Sequence, residues 1–385
     1  MRAWLLLVVA LVAGCGMTEK VGGLLRDKDN AEPVTPLTEF EATAQVDRAW
    51  SRGMGKGTDK LFVRLAPVAD RNVIYVAERK GRVTAVAADT GRELWDTDTD
   101  APLSGGPGYG DGLVLVGSSE GELIALDAKT GEERWRTAVS SEVLSAPTAA
   151  DGVAVVRTAD GKLAGFSVER GRRLWIYDRT VPNLTLRGNS SPIIVDDIVL
   201  AGFDNGRMVA LELKTGKAQW EQQVAQPRGR SDLERMIDVD ADPVVVGDHL
   251  YVTAFQGKVA ALSLHSGEVD WTREIPSAAG LAADADRVYV TDDNSLVWAL
   301  DRHSGSSLWK QEGLRARALT APAAAGDYVV VGDVEGYLHW LAAGDGKFAA
   351  RERIDSRRIL SRPIMAEGLL VGYSSDGELS AYTFK

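Results

Sequence analysis

Residues 121–135, GELIALDAKTGEERW, are one copy of a pattern that runs through the chain. Counting Gly121 as zero, an apolar residue stands at +2, a small one at +4, an apolar one at +5, a Gly at +10 and a Trp at +14. The same frame fits residues 81–95, 161–175, 206–220, 257–271 and 295–309. It fits 336–350 with Ala350 in the Trp place, and it starts again at Gly377. Eight copies with a mean step of about 42 residues have the period of four-stranded propeller blades. The expected fold is all-β: an eight-bladed β-propeller of four-stranded antiparallel blades.

Within each copy a short β-type run precedes the zero position, as at residues 73–76, 113–116 and 153–156. Val, Ile, Leu and Tyr in such runs read as buried strands. A polar turn follows, then a second strand carrying +2 to +5. Position +4 is Ala85, Ala125, Gly165, Ala210, Ala261, Ala299 and Ala381, with Trp340 the exception. Small side chains there are expected to let a neighbouring sheet approach. The Gly at +10 suits a hairpin residue with positive φ. The Trp at +14 is expected to wedge between blades as a packing residue, not as part of a cofactor or sugar stripe.

The eighth copy reaches only position +8, before its Trp strand. Residues 46–50, VDRAW, form a strand-like run with an otherwise unassigned Trp50. The N-terminal strand is therefore expected to complete the last blade, leaving no open seam. The propeller is expected over residues 43–385. Residues 1–14 have the n-region and short apolar core of a signal peptide, too short to span a bilayer as a mature helix. Leu11-Val-Ala-Gly-Cys15 resembles a bacterial lipobox, and Cys15 is the single cysteine. That resemblance implies lipidation of Cys15; Gly16 after it favours sorting to the outer membrane. Residues 15–42 read as the lipidated Cys and a flexible tether.

The net charge is −11, with no basic stripe, so nucleic acid is a poor partner. The four histidines, His249, His265, His303 and His339, show no metal-ligand spacing; His265 and His303 are repeat equivalents at +8. No phosphate loop, nucleophile elbow or HExxH is present. The sequence points to no catalytic residue, no metal and no cofactor.

The connectors between blades differ in length. From Trp95 to Pro107 and from Trp135 to Pro147 the count is 12; from Trp175 to Pro192 it is 17, and from Trp220 to Pro243 it is 23. These connectors share one face of the ring, where insertions build binding surfaces. The first long one holds Leu184, Leu186 and Arg187; the second holds Arg228, Arg230, Asp232, Glu234, Arg235, Asp238 and Asp240. Apolar anchors among charges suit a protein interface. Folding of Leu184 and Leu186 back onto their own blade is the other reading, and the residues alone leave both open.

The frame A-x-D-x-x-T-G-x-x-x-W, clearest from Ala125 to Trp135, resembles the repeats of quinoprotein dehydrogenases, eight-bladed enzymes that use pyrroloquinoline quinone. That resemblance implies a quinone-dependent periplasmic dehydrogenase. Such enzymes typically set a vicinal disulfide beside the quinone, which a chain with one cysteine cannot form. The whole mature chain resembles the BamB family more fully, lipoproteins of the outer-membrane β-barrel assembly machinery. The likeness covers the lipobox, the tether, the eight copies, the L-x-L-R-G segment at 184–188 and the R-x-x-D-V-D segment at 235–240. It implies a non-enzymatic scaffold on the outer membrane of a Gram-negative bacterium, facing the periplasm. It implies binding to BamA at its periplasmic POTRA region, indirect contact with the other assembly lipoproteins, and help in folding and inserting outer-membrane proteins. Direct contact with nascent outer-membrane proteins is a further implied partner. Carried over, Leu184 and Leu186 are apolar anchors, Arg187 is a charged donor, and Asp238 and Asp240 orient the loop or pair with it. A generic periplasmic adaptor is the third reading.

Overall fold

The computed structural model describes residues 32–59, 61, 63, 65–179, 190–226, 238–239 and 241–385. Eight four-stranded antiparallel sheets follow one another around a ring. Blade 2 shows the plan: Leu103–Gly110 nearest the axis, then Leu113–Ser118, Glu122–Asp127 and the outer Glu133–Ala138. The second and third strands of each blade are covered on both sides by neighbouring blades. That is why they read as continuous apolar runs rather than alternating ones. All five residues of Val153–Arg157 are buried, for example. Each pair of adjacent blades has its own cluster, such as Leu200 and Met208 against Val252 and Leu262 between blades 4 and 5.

Seven blades use consecutive strands. The eighth is Ile364–Ala366, Leu369–Tyr373 and Glu378–Phe384, closed by the N-terminal Val46–Gly53. The closing strand runs antiparallel to Glu378–Phe384, with Val46 opposite Phe384 and Gly53 opposite Glu378. Trp50 falls opposite Ala381, the same +14 to +4 pairing found in the other blades.

That pairing corrects one expectation. The small +4 residue makes room for its own blade's Trp rather than for the neighbouring sheet. Ala85 faces Trp95, Ala125 faces Trp135 and Ala261 faces Trp271 across the same pair of strands. Position 165 is Gly, and a Cβ there would run into the Trp175 ring. The wedge between blades is the Trp itself. Its ring covers the +10 Gly of the next blade, and its Nε1–H donates to the +7 carbonyl there. The bonds are Trp50 to Ala88, Trp95 to Ala128, Trp175 to Leu213 and Trp220 to Leu264, at 2.8, 3.0, 2.8 and 2.9 Å.

Two demands therefore meet at the +10 glycine. Gly131 has φ of +76°, and an added Cβ would lie 2.6 Å from Cε3 of Trp95. Left-handed backbone costs a side-chain-bearing residue about 1–2 kcal/mol and overpacking about 1–3. Gly131→Ala is expected to lower stability by about 2–5 kcal/mol, read from the urea midpoint at unchanged m.

Blade 7 inverts the pair: Trp340 is at +4, fully buried, opposite Ala350 at +14. The last two strands of blade 8 come from the two chain ends, so no +10 hairpin glycine lies there to receive a Trp. Trp340 instead packs inward, edge-on to Tyr382 at 5.7 Å.

The hairpin acid of the frame also has a structural task. Asp127 Oδ1 accepts from the amides of Lys129 and Thr130, both at 2.9 Å, and Oδ2 pairs with Arg134. The Arg134 guanidinium, aided by those donors, holds the Asp127 carboxyl down to about 2. A depressed folded pKa gives stability that is present above the unfolded value and lost as pH falls. Asp127 is thus expected to contribute fully above pH 3.8 and to lose that contribution as pH drops towards about 2. Urea midpoints across this window should fall less for Asp127→Asn than for the native chain.

Cys15 and the expected signal segment lie outside the described residues. From Thr35 the chain is packed on blade 7. Leu37 joins Leu314, Leu319, Trp309 and Phe348, and Phe40 stacks on Phe348 at 5.3 Å. The fully buried Arg317 donates to Thr35 O at 2.7 Å, and Arg351 donates to Thr38 O at 3.2 Å. Residues 35–42 therefore belong with the wheel. Their two large apolar side chains were lost in the polar composition of the stretch before them.

Candidate functional site

The connectors singled out by length leave the outer strands of blades 3 and 4, Arg173–Asp178 and Ala218–Gln223. Leu184, Leu186, Arg187 and Asp240 lie outside the described residues; Asp238 and the roots of both connectors are described.

The roots are tied to each other. Ser190 Oγ donates to Ala241 O at 3.1 Å, and Ser191 N–H donates to Asp242 Oδ1 at 2.7 Å. The end of one long connector therefore bonds directly to the end of the other. At the start of the first, Arg179 pairs with Glu221 of blade 4, and the Tyr177 hydroxyl donates to the same carboxylate at 2.7 Å. Asp238 is fully buried and its backbone bridges to Phe255 of blade 5, whose N–H donates to Asp238 O at 2.8 Å. Val239 beside it is buried against Gly202. Asp238 thus sits beneath the rim, joined to the sheet by main chain.

Under these roots lies a buried ion pair that the sequence reading missed. Arg157 ends the second strand of blade 3 and is 3% exposed; it pairs with Asp204, in the turn of blade 4 that follows Gly202. Its Nη1 reaches Ser190 O at 3.5 Å, and its guanidinium lies 5.6 Å over the Phe203 ring. Phe203 contacts Tyr177 at 5.9 Å, which closes the circuit to Glu221. A buried charge must be paired and hydrogen-bonded to be tolerated. The sequence signal was a cation closing an apolar run, VAVVR, at a place where the other runs end in neutral residues. Asp204 gives no such signal, because an acid in a polar turn is what the sequence of such a turn ordinarily holds.

On the axis is a cavity of about 510 Å³. Its wall includes Pro67, Pro107, Pro147 and Pro192 with Ala146, Ala321 and Leu319; among the described residues its charged lining is Asp242 and Arg362. The Asp242 carboxylate is the acceptor for Ser191 described above. His249 lies 3.5 Å from Asp270 and edge-on to His303 at 6.4 Å. Among the described residues no group of three His, Cys, Asp or Glu could hold a metal ion.

A family model described as outer membrane protein assembly factor BamB matches residues 79–311. A Pseudomonas aeruginosa protein of that name is 46% identical over 384 residues, covering 100% of this chain and 99% of its own. The Escherichia coli protein of that name is 34% identical over 388 residues, covering 98% and 97%. The crystal structure of BamB from Moraxella catarrhalis superposes with a TM-score of 0.80 at 27% identity, over 88% of this chain and all of that one. A quinohemoprotein alcohol dehydrogenase from Pseudomonas putida gives 0.71 at 14% identity, over 90% and 78%, a likeness of fold alone.

Proposed function

The chain belongs to the BamB family of outer-membrane protein assembly factors, and from that premise we propose that it is a lipid-anchored scaffold which faces the periplasm and holds BamA through the connectors of blades 3 and 4. Its work is outer-membrane protein assembly. The observation that carries the rim assignment is the bonding of the two long connectors at their roots, Ser190 to Ala241 and Ser191 to Asp242. Connectors whose ends are bonded to each other leave the wheel side by side, which suits a shared task. Leu184 and Leu186 serve as apolar anchors, Arg187 as the charged donor, and Asp238 and Asp240 orient the loop or pair with it. Cys15 carries the lipid. An apolar or Arg anchor at an interface centre contributes about 2 kcal/mol or more, over tenfold in affinity.

The test is capture of BamA from solubilised native membranes by the full lipidated chain and its variants. Leu184→Ala and Arg187→Ala should each lower BamA recovery about tenfold while the melting curve stays native. Undiminished recovery by both variants removes the rim assignment; absence of BamA from the native capture removes the partner. Labelling with radioactive palmitate, lost in Cys15→Ser, tests the anchor separately.

A further inference from the structure

Blade 3 differs from the other blades at its outer strand. In every blade two side chains flank the +14 position and point to the side opposite the Trp. In blade 3 these are Leu174 and Ile176, 42% and 45% exposed. The corresponding pairs elsewhere are Leu94 and Asp96, Arg134 and Arg136, Gln219 and Glu221, Asp270 and Thr272, Leu308 and Lys310, Ala349 and Arg351, and Ala49 and Ser51. Only blade 3 sets two large apolar side chains there. Their strand is also the edge of its sheet: it pairs with Lys162–Ser167 on one side and, among the described residues, with nothing on the other.

Charge singles out the same strand. Residues 170–179, RGRRLWIYDR, hold four arginines and one aspartate, a local +3 in a chain of −11. Arg170, Arg172 and Arg173 are exposed at the hairpin and form no ion pair among the described residues. Exposed edges are commonly blunted with charge, so arginines here could simply be protection. Blade 2 shows what that looks like: Arg134 and Arg136 occupy the two outward positions themselves. Blade 3 leaves those positions apolar and moves its arginines to the strand's start.

We propose that the outer strand of blade 3 is a docking edge for an extended strand of a partner protein, one that alternates apolar and acidic side chains. Main-chain N–H and C=O groups of Arg173–Asp178 pair with the added strand. Apolar side chains of the guest cover Leu174 and Ile176, and its carboxylates meet Arg172 and Arg173. None of these residues is one of the connector anchors proposed above, although the strand leads into the first connector.

The probe is a capped, fluorescently labelled nonapeptide alternating Val and Glu, measured by anisotropy with the native chain. Three comparisons decide the matter. A peptide with Lys for Glu should bind at least about tenfold more weakly, from lost charge complementarity. A Val-Glu peptide N-methylated at alternate residues should bind at least about tenfold more weakly, because one edge loses its donors. The chain carrying Leu174→Arg and Ile176→Arg, which copies blade 2 at exposed positions, should lose about tenfold in affinity, whereas Leu308→Arg on blade 6 should lose none. Equal binding of the N-methylated peptide overturns strand addition. Equal binding of the Lys peptide overturns the acidic guest. No binding of the Val-Glu peptide, or an unaffected double variant with a native melting curve, overturns the site. BamA capture with Leu184→Ala and Arg187→Ala reads other residues by another measurement, so the two tests fail independently.

Discussion

A chain that begins after Gly53 is expected not to form a monomeric wheel. The closing strand pairs with Glu378–Phe384 along its whole length. Its loss uncovers Tyr382 and opens that strand as an edge inside the ring. It removes Trp50, whose ring covers Gly91 and whose Nε1–H holds Ala88 O. It removes the Arg52–Glu93 pair at 2.6 Å, which also spans blades 8 and 1. Main-chain bonds from Thr43 and Ala44 to Ala349 O, at 2.9 and 3.1 Å, go as well, and with them the hold on blade 7. Truncating one large core aromatic alone costs about 3–5 kcal/mol, against a total stability of about 5–15. The full deletion exceeds the margin, and the freed edge directs the product to aggregation. Light scattering after size exclusion should show oligomers, and the cooperative thermal transition should vanish. The milder Trp50→Ala should stay monomeric and, because Trp50 is only half-buried, lose about 1–3 kcal/mol. A truncated chain that is monomeric and melts cooperatively overturns this account of closure.

Most of the architecture was legible because each blade repeats one local solution. The Gly at +10 and the Trp at +14 recur together, since each Trp at +14 rests on a glycine of the next blade. The same logic explains what was misread. Spacing along one strand could not show that Ala125 faces Trp135 across the hairpin, so the small residue was given to the wrong neighbour. Trp340 looked like an isolated exception, yet it is half of an exchange with Ala350, visible only once the register is known. The rim is different in kind. Connector length and content marked out the two segments, because insertions stand out against a period; it was the family resemblance that chose Leu184, Leu186, Arg187, Asp238 and Asp240 within them. Arg157 and Asp204 did not stand out: they lie in different copies 47 residues apart and meet only when blades 3 and 4 pack. A buried ion pair leaves a trace in the sequence only as a charge in an apolar run.

That pair yields the second large effect. Arg157→Met strands the Asp204 carboxylate where Asp204 is 7% exposed, and breaking a buried pair by removing one partner costs about 3–5 kcal/mol. Replacing both partners with apolar residues of similar volume is often neutral, so Arg157→Met with Asp204→Leu should regain most of the stability lost by the single change. The two readouts should then separate. In the double variant the wheel is stable, but nothing reaches Ser190 O from below, and the cation over Phe203 is gone. The connector roots lose one of their fixed points while keeping Ser190 to Ala241 and Ser191 to Asp242. Recovery of BamA should therefore stay several-fold below native, although the melting temperature has returned. Stability and capture recovering together would make Arg157 a packing residue only. Stability recovering without capture makes it the residue that positions the rim: the blades set where the connectors begin, and the buried guanidinium sets how they are held.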